Sequence, residues 1–454
     1  MQYPAQALKH VRFFATKWRG DTAIVTGAFV IISLIRIISS VTLTRLLSPD
    51  VFGAVGVLGS ITFAVSMVSD VGFQAFVIRH RDGDDSRFRN VIWTIRLGRS
   101  IALTLILIAL AWPIAAAIDK TELRLPIQVF SLTFLLDGFT SLSLVSAYRH
   151  RRLVRLNGLE ICATIVQLLL SVIFSLYSPT YWAVIFAMLL TGVVRILLSY
   201  VMFPDARQWI AFDRAYTVEL MKFARYITGS SIITLALAQT DKLILSRLFS
   251  LPTFGLYAIA TNLSGVPNSF GSSYAHQLLY PRYAAAWREA PSTLRDYYYA
   301  TKRVMHCLYM FAVGGLVGSA PLVIEILYDD RYRPASLYLQ WLAFGTMFGL
   351  SNLAMMNALV AIGKPVVTFQ GNIVRLVWLA ILMPIAYFTW RPLGIVAVVA
   401  TVELPAMFYH WYQMRKVGLF SVRGEAEPLA AGGIGMLCGW LSCQILLPYV
   451  RLFI

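Results

Sequence analysis

The chain is 454 residues long, 58% hydrophobic and only 13% charged, with a mean hydropathy of +0.69. That usage excludes a soluble globular domain; each bilayer crossing takes about 20 apolar residues, and the chain offers about thirteen such segments. The net charge of +17 reads as basic cytoplasmic loops set against anionic lipid, and nucleic acid is not an expected partner.

The first 21 residues, with Lys9, Arg12, Lys17 and Arg19, are basic, and the apolar run that follows is too long for a signal-peptide core. A cytoplasmic N-terminus is expected. Helices are then predicted at roughly 22–44, 54–78, 91–117, 124–147, 158–178 and 181–203, a first lobe covering 22–203. Residues 204–222 carry Trp209, Phe212, Tyr216, Leu220 and Phe223 at helical spacing, with Arg207, Arg214, Glu219 and Lys222 largely off that stripe. This predicts an amphipathic linker helix lying in the cytoplasmic interface. The second lobe, 223–415, holds segments at 224–248, 254–280, 301–325, 335–362, 366–389 and 392–414. The remainder, 416–454, is a loop and one further apolar segment at 429–450, which leaves the side of the C-terminal end open.

The two lobes share a repeat. Arg45-Leu46-Leu47-Ser48 followed by Phe52-Gly53 matches, without a gap, Arg247-Leu248-Phe249-Ser250 followed by Phe254-Gly255. Counting Lys and Arg by alternating loops puts 25 on one side, 8 on the other and 6 inside segments. The imbalance predicts that the N-terminus and the even-numbered loops are cytoplasmic. Both copies of the repeat then enter the membrane from the same side, as parallel repeats do. The outward loops are short, the longest lying around Lys120 and over residues 328–334. A glycan polymerase or ligase needs a sizeable external catalytic loop, so an enzyme is not expected.

Charges inside apolar segments are the candidate functional residues, because each costs about 2.5–3.5 kcal/mol at membrane depth and normally faces protein or a water-filled path. Arg36, Arg195, Lys242 and Arg375 are the basic set; Asp137, Asp241 and Glu403 are the acidic set. Several cationic side chains in one bundle suit an anion, and arginine suits phosphate above all; a diphosphate head group is a natural partner. The acids are candidates for carrying a coupling proton or sodium ion. Ordinary structural uses compete with each assignment: Lys242 could snorkel to the interface, and Asp137, Asp241 and Glu403 could neutralise a neighbouring arginine. Asp70, Glu160 and Glu325 lie near helix ends and are read as structural. The four cysteines lack CxxC spacing and the six histidines do not pair at ligand spacing, so no disulfide framework, metal site or cofactor is expected.

The stretches RLLSPDVFGAVGV, SDVGFQAFVIRH, QTDKLILSRLFSLPTFGLYAIATNLSGVPNSF, LYPRYAAA and ALVAIGKP resemble, in order and spacing, the multidrug/oligosaccharidyl-lipid/polysaccharide (MOP) exporter superfamily, specifically its polysaccharide-transporter branch of Wzx-type flippases. The similarity spreads over about residues 20–415. The resemblance implies an all-α polytopic membrane protein with two six-helix lobes in a V shape, to which this chain adds about one apolar C-terminal helix. It further implies alternating access and flipping of undecaprenyl-diphosphate-linked oligosaccharide across a bacterial inner membrane, for exopolysaccharide, capsule or O-antigen. A cationic cavity would be supplied by Arg36, Arg195, Lys242 and Arg375; flippases of this kind can work beside a polymerase and a chain-length regulator. The alternative expectation is a proton- or sodium-coupled exporter of amphipathic cations from the same superfamily, which would use the acidic set instead.

Overall fold

A computed structural model describes residues 5–150, 152–203, 207–275, 279–289 and 291–453, and among these every regular element is a helix. The side chains of the basic N-terminal stretch, and residues 204–206 of the expected linker, lie outside the described set. By internal contacts the chain forms two units, the first Met1–Leu47 with Ile61–Ile232 and the second Ser48–Ser60 with Ile233–Ile454. One boundary falls in the break between α1 and α2 and the other two inside helices, none of them in the 204–222 stretch.

In the first unit, α1 (Ala5–Leu46) runs unbroken through the basic stretch into the first apolar segment. It packs on α8 (Leu153–Tyr177), which packs in turn on α9 (Tyr181–Val201). The segment expected at 54–78 is two helices, α2 (Pro49–Val68) and α3 (Phe73–Arg79), separated by a turn in which Gly72 takes φ +70°. That left-handed conformation costs a residue with a side chain about 1–2 kcal/mol. Next, α4 (Ser86–Ala117) opens on an Asp85 cap whose carboxylate accepts the Phe88 amide at 2.9 Å. The segment expected at 124–147 is broken into α5 (Arg124–Phe130), α6 (Leu132–Phe139) and α7 (Ser143–Arg149), with a 57° bend before α7. At the break the Ser141 amide turns to Ser199 Oγ at 3.1 Å, and Ser141 Oγ accepts from the Ser143 amide at 3.1 Å. Serine hydroxyls there replace the helical ladder with local bonds.

The linker differs from its expectation. Residues 207–213 are not helical; they are pinned to α4 by the Trp209 amide on Asn90 Oδ1 (3.2 Å) and the Ala211 amide on Thr94 Oγ1 (3.0 Å). Helix begins at Arg214 and continues without interruption as α10 (Arg214–Leu248). Leu220, Tyr216 and Phe223 pack on a cluster of Phe73, Phe76, Phe88, Ile92 and Trp93, whereas Trp209 and Phe212 are 70% and 82% exposed. Part of the apolar stripe is therefore covered by protein and not by lipid.

In the second unit the repeat acquires a geometry. The start of α2 crosses the start of α11 (Leu251–Tyr274) reciprocally. A Cβ on Gly53 would stand 1.9 Å from the Leu251 carbonyl oxygen, and one on Gly255 1.9 Å from that of Pro49. Because Pro49 and Leu251 are themselves equivalent in the repeat, each copy offers its glycine to the other's first helical turn. Beyond α12 (Tyr280–Glu289), α13 (Leu294–Leu327) and α18 (Val422–Phe453) lie side by side along their lengths. Glycines permit the approach: a Cβ on Gly314, Gly318, Gly435 or Gly439 would come within 2.2–2.3 Å of a backbone oxygen of the other helix. Lys302 bonds Glu425 near both N-terminal ends, and Arg451 reaches Glu325 at 3.3 Å near both C-terminal ends. The two helices are therefore parallel.

Between them in sequence come α14 (Ala335–Met347), α15 (Gly349–Ala361), α16 (Val366–Ala400) and α17 (Glu403–Lys416). The stretch α16 is two helices joined at Trp390 and Arg391, the latter at φ 57°, immediately before Pro392. Proline lacks a donor and restricts the residue before it, which sets the break there. The expected helix at 392–414 is interrupted again at 401–402.

Where the composition predicts about thirteen apolar segments, nine helices among the described residues are long and apolar enough to span a bilayer, or ten with the bent α5–α7 pair. One of the nine, Val366–Lys416, contains two expected segments. The segment at 224–248 is helical within α10 and that at 254–280 is helical over 254–274 within α11, but neither helix is among the nine.

Candidate functional site

A cavity of about 580 Å³ lies within the first unit, lined among others by Ser66, Asp70, Arg96, Arg99, Asp137 and Ile227. Arg96 and Arg99 sit one turn apart on α4. Arg99 donates to the Ser69 carbonyl (Nε, 2.7 Å), the Ser66 carbonyl (Nη2, 3.0 Å) and Ser69 Oγ (Nη2, 2.8 Å). These acceptors stand at the C-terminal end of α2, where a cation also complements the helix dipole. Its charge is thus committed to holding α2 against α4. Arg96 makes a different contact: Nη2 lies 2.9 Å from Asp137 Oδ1 of α6, with Arg96 14% and Asp137 61% exposed in their side chains. A Cβ on Gly138 would meet Ser100 Cβ at 2.6 Å, so the glycine after Asp137 allows α6 to reach α4.

The floor of the cavity is the turn before α3. Asp70 Oδ1 accepts the Gly72 amide at 2.9 Å, Asp70 Oδ2 accepts Ser231 Oγ at 3.0 Å, and the Asp70 carbonyl accepts Thr228 Oγ1 at 2.7 Å. This is the structural use expected of Asp70. Two arginines and two aspartates give the cavity no formal excess of charge. It offers one exposed carboxylate and one guanidinium whose partner a ligand anion can replace.

The sequence-predicted residues fall in both units. In the first, Arg36 is exposed on α1 and makes no ion pair among the described residues; Arg195 of α9 pairs with Glu160 of α8. In the second, Lys242 of α10 bonds the Ala238 carbonyl at 3.3 Å and makes no ion pair among the described residues, while Arg375 of α16 is paired. Arg375 Nη2 donates to Glu403 Oε2 at 2.8 Å and its Nη1 to Asn372 Oδ1 at 3.0 Å. Asn352 of α15 joins this pair, its Nδ2 donating to Glu403 Oε2 at 2.7 Å and to the Glu403 carbonyl at 2.9 Å. Asp241 is buried and accepts the Tyr257 hydroxyl across to α11.

All three candidate ion carriers are thus engaged: Asp137 by Arg96, Asp241 by Tyr257, Glu403 by Arg375 and Asn352. Arg96 and Arg99 were visible in the sequence as arginines inside a segment, but no motif distinguished them; their partners lie 30 to 41 residues away. Among the described residues no group of three or more His, Cys, Asp or Glu could hold a metal ion.

A family model described as polysaccharide biosynthesis protein matches residues 42–337. The amylovoran biosynthesis protein AmsL of Erwinia amylovora is 24% identical over 352 residues, 75% of this chain and 88% of that protein. Among solved structures, the lipid II flippase MurJ in an inward closed conformation superposes with a TM-score of 0.67 at 10% identity, covering 93% of this chain and 91% of MurJ. An inward-facing multidrug-resistance MATE transporter of the MOP superfamily gives 0.63 at 14% identity, covering 88% and 95%. The two structural likenesses establish the MOP-type fold.

Proposed function

The chain belongs to the polysaccharide biosynthesis protein family, in the polysaccharide-transporter branch of the MOP superfamily, and from that membership we propose that it flips a lipid-linked oligosaccharide. The substrate class would be undecaprenyl-diphosphate oligosaccharide repeat units, moved from the cytoplasmic to the outer leaflet of a bacterial inner membrane by alternating access. The N-terminus would be cytoplasmic, and a polysaccharide polymerase and chain-length regulator would use the product. The family match over 42–337 carries this reading, since it contains every helix that lines the cavity of the first unit.

In this reading Arg96 exchanges Asp137 for a diphosphate oxygen, and Asp137, released, accepts glycan hydroxyls. Arg36, with no ion-pair partner among the described residues, Arg195, Lys242 and Arg375 remain candidates for the same anion at other stages. Coupling to a proton or sodium ion through Asp137, Asp241 or Glu403 is part of the proposal. The exposed Asp137 carboxylate favours a second reading, export of amphipathic cations. Deletion separates the two. Lipid-linked oligosaccharide trapped on the cytoplasmic leaflet, with export lost, supports flipping; multidrug hypersensitivity with normal polysaccharide supports the cation exporter and ends the flippase reading.

A further inference from the structure

A second cavity, of about 340 Å³, opens in the first unit and has no role so far. It lies between the α3–α4 turn and the α7–α8 connection, two loops on the side where charge counting concentrates Lys and Arg. The helix α7 separates it from the Arg96 cavity. Ser143, Ser146, Ala147 and His150, at i, i+3, i+4 and i+7, line the second cavity, whereas Leu142, just before α7, and Val145 line the first. Arg89, from the first turn of α4, and Arg152 add to the polar wall, and Phe203 supplies an apolar one.

The charges here are unequally committed. Asp84 is the one carboxylate lining this cavity among the described residues, and Arg149 Nε answers it at 3.1 Å. Arg149 is held in turn by the carbonyls at the end of α3, that of His80 the nearest at 2.6 Å. The carbonyls ending α7, which would repel an anion, are also engaged. That of Ser146 accepts the His150 amide and that of Ala147 the Arg152 amide, both at 2.9 Å. Two donors are left over. Arg89 makes no ion pair among the described residues. Ser143 is 5% exposed, and its Oγ is buried without a hydrogen-bond partner. A cavity whose acid is already neutralised, with a guanidinium and a hydroxyl to spare, suits an oxyanion.

We propose that this cavity is a phosphate-binding site, separate from the Arg96 cavity. Arg89 takes the anionic oxygens, and the Ser143 hydroxyl, after a turn about χ1, donates to one of them. Anionic phospholipid head groups and soluble phosphates share that chemistry. The binding does not rest on the flippase reading.

The test follows the unfolding midpoint of the delipidated full chain in neutral detergent, at constant ionic strength. Inorganic phosphate and short-chain phosphatidylglycerol are the two probes. A ligand of the folded state raises the midpoint as its concentration grows. The wild type should show that rise, at a concentration about tenfold higher in Arg89→Gln and several-fold higher in Ser143→Ala. Arg87→Gln, whose side chain pairs with Asp213 and does not line the cavity, should match the wild type. A response at lower concentration to phosphate names a soluble ligand, and to the lipid a head group. No rise with either probe overturns the proposal, as does the same response in wild type, Arg89→Gln and Ser143→Ala. Equal weakening in Arg87→Gln also overturns it, by showing diffuse attraction to basic loops. Should Arg89→Gln not fold, Ser143→Ala, which removes one unbonded oxygen, carries the comparison.

Discussion

Arg96 and Arg99 are the same residue type, three positions apart on one helix, and their surroundings give them opposite roles. Arg99 spends its donors on the end of α2, so Arg99→Gln should cost about 1–3 kcal/mol of stability, read as a lower unfolding midpoint in detergent. Arg96 is held by a single exposed aspartate. Arg96→Gln should leave the midpoint nearly unchanged and lower lipid-diphosphate flipping by about tenfold, the effect of losing about 1.4 kcal/mol of binding. Sequence shows that both are arginines inside an apolar segment; it does not show the carbonyls of a neighbouring helix end. Lys302 makes the same point in reverse. Its place near a basic loop groups it with solvated charges, yet it is 1% exposed and bonds both Glu425 oxygens at 2.7 and 2.6 Å. Tyr299 and Trp411 also donate to that carboxylate, each at 3.2 Å. Lys302→Met should destabilise by about 3–5 kcal/mol by leaving a buried carboxylate uncompensated, and adding Glu425→Leu should recover much of the loss.

Among the elements, the segment set aside as an extra is one of the most closely packed. The small residues of α18 show in sequence, but their partners on α13 are over 100 residues distant and share no local pattern with them. Gly435→Leu should separate the helices, because its Cβ has no room beside the Phe311 carbonyl oxygen at 2.2 Å. A loss of several kcal/mol, at the scale of overpacking plus lost contacts, should appear as reduced yield of folded protein and a lower midpoint. The 204–222 stretch shows the limit of periodicity as a guide. Helical spacing of Tyr216, Leu220 and Phe223 announces an apolar face, but lipid and the Phe76–Phe88 cluster satisfy such a face equally well. Broken segments were hidden for a related reason: Ser141 and Pro392 break helices through bonds and φ limits that hydropathy does not register.

At the scale of the whole molecule, the all-helical class, the location of the apolar segments and the duplicated motif were legible, because hydrophobic length and sequence identity are local properties. The cavity was not, because it is assembled from α2, α3, α4, α6, α7 and α10. The parallel course of α13 and α18 settles a relation that charge counting left open. Reporters placed in 328–334 and after Arg451 should fall on one side of the membrane, and a reporter in 418–421 on the other; agreement of all three would show that α18 does not cross. The reciprocal glycine crossing also has a consequence in time. Its two halves are about 200 residues apart, so at about 5–20 residues per second the first copy waits about 10–40 s for the second to leave the ribosome. During that wait Gly53 and its helix have no seat, and a nascent chain halted before Gly255 presents an unfinished surface to the cell's membrane proteases.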